Sequence, residues 1–143
     1  MNKFWKVAPW VTRLILVFPA LLFLRIGVHD LSNIVTVMGD RGIAFTSGNG
    51  VTVARVGFGG FPLGCGLFLL GCLFFERYLL SALAFVATLD AVVLVARVAG
   101  MFADSSVREN IPLVGAELLL LSFTAVGIVI EFLRKRRELT AGV

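Results

Sequence analysis

VARVGFGGFPLGCGLFLLGCLFF, residues 53–75, is an apolar run opened by Arg55 and punctuated by Gly57, Gly59, Gly60, Gly64, Gly66 and Gly71. A helix needs about 20 apolar residues to cross the hydrocarbon of a bilayer, and this stretch is long enough. Glycines at helical steps let a neighbouring helix approach more closely than a leucine would allow. Gly57, Gly60, Gly64 and Gly71 follow steps of three, four and seven, so they predict one packing stripe, and Gly60 with Gly64 completes a GxxxG. The run therefore reads as a membrane span built for contact, bent at Pro62.

The rest of the chain agrees in class. Of its 143 residues 59% are hydrophobic and only 15% charged, and the mean hydropathy is +0.98. An average soluble domain is roughly 45–50% apolar, and so small a chain folded in water would have to cover its apolar residues with polar ones. An integral membrane protein is the class that fits, with the lipid bilayer as its surroundings. The net charge of +4 does not point to nucleic acid, because Lys and Arg gather at chain and span ends rather than on a face with interleaved aromatics. Cys65 and Cys72 are seven residues apart, about 10 Å along a helix, too far to bridge each other and without the spacing of a metal site. They read as packing residues, and no cofactor motif occurs.

Taken in order, MNKFWK supplies Lys3, Trp5 and Lys6, with Trp10 following, as an interfacial anchor. A first span covers about residues 9–28. Arg13 and Arg25 bracket its apolar core in the manner of a signal peptide, but no small-x-small cleavage site follows, so an uncleaved span loosened at Pro19 is expected. Residues 29–52 form the long outer loop. Within it, Leu31, Ile34, Val35 and Met38 recur at helical spacing after a cap at Asp30, which allows a short amphipathic helix on the membrane surface, one folded over the bundle mouth, or a plain connection. Glu76 and Arg77 then turn the chain from the second span, 53–75, into a third, 79–99, as an antiparallel hairpin. A polar loop leads to Pro112 in the first turn of a fourth span, 112–133, which stops at the basic run beginning at Arg134.

The expected fold is all-α, a single four-helix transmembrane bundle. Lys3, Lys6, Arg77, Arg134, Lys135, Arg136 and Arg137 fall on one side and only Arg41 and Arg108 on the other. By the positive-inside rule both termini are cytoplasmic, which predicts a multi-pass protein of the cell inner membrane.

Five charges sit within the spans. Arg25, Arg55, Arg97 and Glu117 lie near the outer boundary and Asp90 lies deeper. A central charge costs about 2.5–3.5 kcal/mol on insertion scales, so such residues pair, line a wet cavity or snorkel to headgroups. Asp90 and Arg97 share a helix face, and Arg97 and Glu117 stand at similar depth on consecutive helices as the best ion pair. Three arginines against two acids would favour an anionic or carbonyl-bearing guest, with His29 facing the same mouth. Glu131 and the RKRR run read as a helix end with its basic stop signal.

The segments ARVGFGGFPLGCGLFLLG from Ala54, ARVAGM from Ala96 and GAELLLL from Gly115 resemble the small four-span bacterial membrane proteins of domain of unknown function 4345 (DUF4345). That resemblance implies importance for Arg55, Gly59, Gly60, Arg97 and Glu117, and it implies no activity. Two functions remain open. One is an accessory or structural subunit whose glycine stripe docks on a like copy, giving a homo-oligomer, or on a larger membrane complex. The other is a small-molecule or lipid site, enzymatic or not, in the polar cluster at the periplasmic mouth.

Overall fold

Long runs of Leu, Val, Ala and Phe satisfy their backbone polar groups internally, as a bilayer requires, and helices form throughout. The computed structural model describes residues 3–141, with side chains for 7–140, and is all-helical. The side chains of Lys3, Trp5 and Lys6, part of the expected anchor, lie outside the described residues. The helices are α1 (Lys3–Asp40), α2 (Gly48–Ala54), α3 (Phe61–Leu73), α4 (Leu79–Ala103) and α5 (Val107–Ala141). A π-helical turn, Arg55–Gly60, joins α2 to α3, and a 3-10 turn, Glu76–Tyr78, precedes α4. Four stretches are long and apolar enough to cross a membrane: Val7–Asp40, Gly48–Leu73, Glu76–Ala103 and Val107–Thr140. Val17–Phe74 forms one compact unit, and Met1–Leu16 with Phe75–Val143 forms a second.

In the Val17–Phe74 unit, α1 and α3 run antiparallel at close range. An added Cβ on Gly27 would come within 2.5 Å of the Leu63 nitrogen and 2.7 Å of its Cα. On Gly59 it would lie 2.7 Å from Leu31 Cγ, and on Gly66 it would lie 2.8 Å from Leu24 Cγ. Large, small, large along α1 (Leu24, Gly27, Leu31) thus meets small, large, small along the facing strip (Gly66, Leu63, Gly59). Such backbone approach lets dispersion act where lipid removes the hydrophobic drive between helices.

The expected stripe faces elsewhere. Among the described residues nothing comes within 4 Å of a Cβ placed on Gly57, Gly64 or Gly71, and on Gly60 it meets only the Arg55 carbonyl, at 4.0 Å. Inside the chain, packing falls to Gly59, Gly66 and Gly27 instead. The stripe is also not continuous, because the π-helical turn inserts one extra residue. Gly57 is thereby rotated relative to Gly64 and Gly71 by on the order of 100°, the angle of one α-helical residue. Pro62 accounts for that turn: it has no N–H and its ring crowds the carbonyl four residues back. The next donor before it, Phe61 N–H, reaches five residues back to the Val56 carbonyl.

Residues 29–40 are not loop. They continue α1 and pack Ile34, Val37 and Met38 against Ala54, with Phe45 and Val51 alongside. Asp30 accordingly lies mid-helix, not at a cap. The non-helical dihedrals of α1 fall at Asn33 (φ −124°, ψ 27°), not at Pro19. Proline keeps a helical φ, whereas the Asn33 side-chain amide donates to the His29 carbonyl at 3.1 Å and competes with the backbone. The helix ends in a Schellman motif: Gly42 takes φ +76°, Ile43 N–H donates to Met38 O at 2.8 Å and Gly42 N–H to Gly39 O at 2.9 Å. Ser47 then caps α2, its hydroxyl accepting from Gly50 N–H at 3.2 Å.

In the second unit α4 and α5 form an antiparallel hairpin, with Gly127 buried where a Cβ would lie 2.9 Å from Leu83 Cδ2. Pro112 sits inside α5 rather than in its first turn, because the helix already begins at Val107. The basic run from Arg134 remains helical to Ala141.

Candidate functional site

Arg97 on α4 reaches across to α5. Its Nη2 and Nε lie 2.7 and 2.8 Å from Glu117 Oε1, and Nη1 donates to Asn110 Oδ1 at 3.1 Å. Asn110 in turn donates to the Ser106 carbonyl at 3.0 Å, so the loop before α5 holds the guanidinium in place. Helical spacing brings this about: residues seven apart on α4 share a face, and the antiparallel hairpin sets Glu117 opposite Arg97. The pair uses one oxygen of the carboxylate. Glu117 Oε2 is buried without a hydrogen-bond partner, as is Oδ2 of Asp90, which is 7% exposed on the same face of α4.

The other two members of the expected five belong to the Val17–Phe74 unit. Arg25 and Arg55 are exposed there and enter no ion pair among the described residues. His29, also exposed, places Nδ1 3.0 Å from Asp30 Oδ1, and Arg41 Nη2 lies 3.8 Å from Asp30 Oδ2. Asp30 is buried between them.

A second polar network lies at the opposite end of the α4–α5 hairpin. Glu131 is fully buried. Its Oε1 accepts from the Thr12 hydroxyl at 2.9 Å, and its Oε2 accepts from Arg134 Nε at 2.9 Å. Arg134 Nη1 donates to Glu138 at 2.7 Å and lies 3.5 Å from Glu76, which Arg13 approaches at 3.6 Å. Every oxygen of Glu131 is thus satisfied, which pins the start of α1 to the end of α5 within this unit. Glu131 and Arg134 at i,i+3 carried a partial signal of it; Thr12, 119 positions away, carried none.

The chemistry on offer is narrow. Among the described residues no group of His, Cys, Asp and Glu gathers as metal ligands, and both cysteines are free and buried. Arg97 is engaged by Glu117 and Asn110, so the buried atoms left without hydrogen-bond partners beside it are carboxylate oxygens. A molecule bound at these two oxygens in their ionised form would have to donate hydrogen bonds. Such orphaned buried oxygens are few in native proteins, and each calls for an explanation.

Four apolar helices and an interior polar pair define a small, all-helical, multi-pass membrane protein. Comparison with protein-family models, curated proteins and solved structures finds no match.

Proposed function

We propose that this chain is an accessory subunit of the inner membrane, with both termini cytoplasmic, that docks on the membrane helix of another protein through the outer face of α3. The observation that carries this reading is the division of glycines on that helix. Gly59 and Gly66 are needed for the approach of α1, whereas Gly64 and Gly71 are exposed and, among the described residues, nothing lies within 4 Å of a Cβ added to either. Glycine inside a helix costs about 0.5–1 kcal/mol relative to alanine, and no contact among the described residues accounts for the outer pair. A close-approaching partner helix supplies one. On α4, Ala87, Ala91, Ala96 and Ala99 line an open apolar groove of about 650 Å³, a second surface that admits a helix backbone closely. Kinship with DUF4345 forms part of the proposal and rests on the motifs around Arg55, Arg97 and Glu117.

The test is association in mild detergent. Leucine at Gly64 and Gly71 is expected to leave folded yield unchanged and abolish co-purification or self-association. A protein that is monomeric before and after the substitution, with no partner crosslinked in membranes, contradicts the reading.

The orphaned oxygens of Asp90 and Glu117 favour a second reading, a small-molecule site whose guest donates to both. Asp90→Asn and Glu117→Gln would then abolish a cellular phenotype without loss of folded protein. Loss of phenotype only in step with loss of fold would remove this reading.

A further inference from the structure

Among the described side chains, the end of the α4–α5 hairpin carrying Glu131 has six basic residues, Arg13, Arg77, Arg134, Lys135, Arg136 and Arg137, against three glutamates. The glutamates are already engaged: Glu131 and Glu138 by Arg134, and Glu76 by Arg134 and Arg13. Six cations against three carboxylates leave a positive surplus, which includes Arg77, Lys135 and Arg136. Lys135 Nζ donates to the Arg77 carbonyl at 3.4 Å, which brings an ammonium from α5 over that turn. The Arg77 guanidinium lies 4.6 Å from the Tyr78 ring centroid and 5.8 Å from that of Phe75. Arg136, the next residue along α5 after Lys135, is exposed. No side chain caps the start of α4 at Tyr78, so the positive end of its dipole adds to the same field.

Aromatic rings at a span end, exposed as Trp10 and Tyr78 are, belong at headgroup level, where their apolar bodies meet lipid and their polar edges meet water. A surplus of cations at that depth faces phosphates. We propose that Arg77, Lys135 and Arg136 bind the headgroup of an anionic phospholipid, with Tyr78 and Phe75 holding Arg77 in place. This surface is independent of the docking face on α3, so either can fail without the other.

The full chain in nanodiscs of mixed phosphatidylglycerol and phosphatidylcholine provides the test, with protein-associated lipid counted by native mass spectrometry. Phosphatidylglycerol is expected to be retained in preference. At about 1 kcal/mol per basic residue near the surface, Arg136→Gln should weaken that preference about fivefold, and the triple change Arg77→Gln, Lys135→Gln, Arg136→Gln should abolish it. Arg108→Gln, in the first turn of α5 at the other end of the hairpin, should have no effect. Should the triple variant misfold, Arg136→Gln alone decides, because its side chain has no partner among the described residues. Equal retention of the two lipids, or a preference unchanged by Arg136→Gln, overturns the proposal. So does displacement of the lipid by millimolar inorganic phosphate, which would mark a site for the free anion.

Discussion

Arg97 holds its place in α4 because Glu117 and Asn110 take up its donors, and removing either charged partner strands the other in a largely buried position. Breaking a buried pair typically costs about 3–5 kcal/mol, less where water reaches, and here the side chains are 26% and 14% exposed. Arg97→Met and Glu117→Leu should each lower the melting temperature in detergent, and the double variant should lose clearly less than the two singles together. Additive losses would mean the contact contributes nothing as a pair. Glu131 should be the more sensitive position, since it has no exposure at all and its loss leaves Arg134 buried with Glu138 and Glu76 at its outer edge. Glu131→Leu is therefore expected to exceed Glu117→Leu in cost, read in the same melts. The Arg97 pair was legible in the sequence because depth follows from counting along two helices joined by a short loop. The Glu131 network was not, since a carboxylate next to a basic run looks like an exposed helix end, and its burial depends on Thr12 from a helix far away in sequence.

At the level of elements, α3 has two faces that sequence spacing alone does not tell apart. Six glycines in one span offer several helical stripes. Which of them packs depends on the extra residue in the π-helical turn and on the facing pattern Leu24, Gly27, Leu31. Gly27 was the missing signal: a glycine in α1, between leucines three before and four after, complements Gly59, Leu63 and Gly66. The two faces predict opposite results for one chemical change. Gly66→Ala puts a methyl 2.8 Å from Leu24 Cγ and from the Leu24 backbone nitrogen, so α1 and α3 must separate, and folded yield and melting temperature should fall. Gly64→Ala meets nothing and, by reducing the cost of glycine in a helix, should leave stability unchanged or raise it by up to about 1 kcal/mol. If both substitutions destabilise alike, the close approach of α1 and α3 is not as described.

Over the whole molecule, class and number of spans were readable from composition and hydropathy, while helix ends were not. Polar residues such as Asp30 and Asp40 suggest a chain that has left the membrane, but a helix does not stop where the lipid does. At 1.5 Å per residue, the 38 residues of α1 reach about 57 Å, well beyond a hydrocarbon core of about 30 Å. The expected loop of residues 29–52 thereby shrinks to the short connection between Asp40 and Gly48, closed at one end by Gly42 and at the other by Ser47. Three of the four apolar stretches separate that connection from the end of α5; if each crosses the bilayer, the two are on opposite sides, with the basic end inside if the excess of Lys and Arg sets orientation. Labelling of single cysteines by a membrane-impermeant maleimide in intact cells, in a background with Cys65 and Cys72 replaced by alanine, measures this directly. Thr46→Cys should react from outside, and Leu139→Cys should react only after the membrane is permeabilised. Reaction of both positions in intact cells, or the reverse pattern, would contradict the four-span account with its basic end in the cytoplasm.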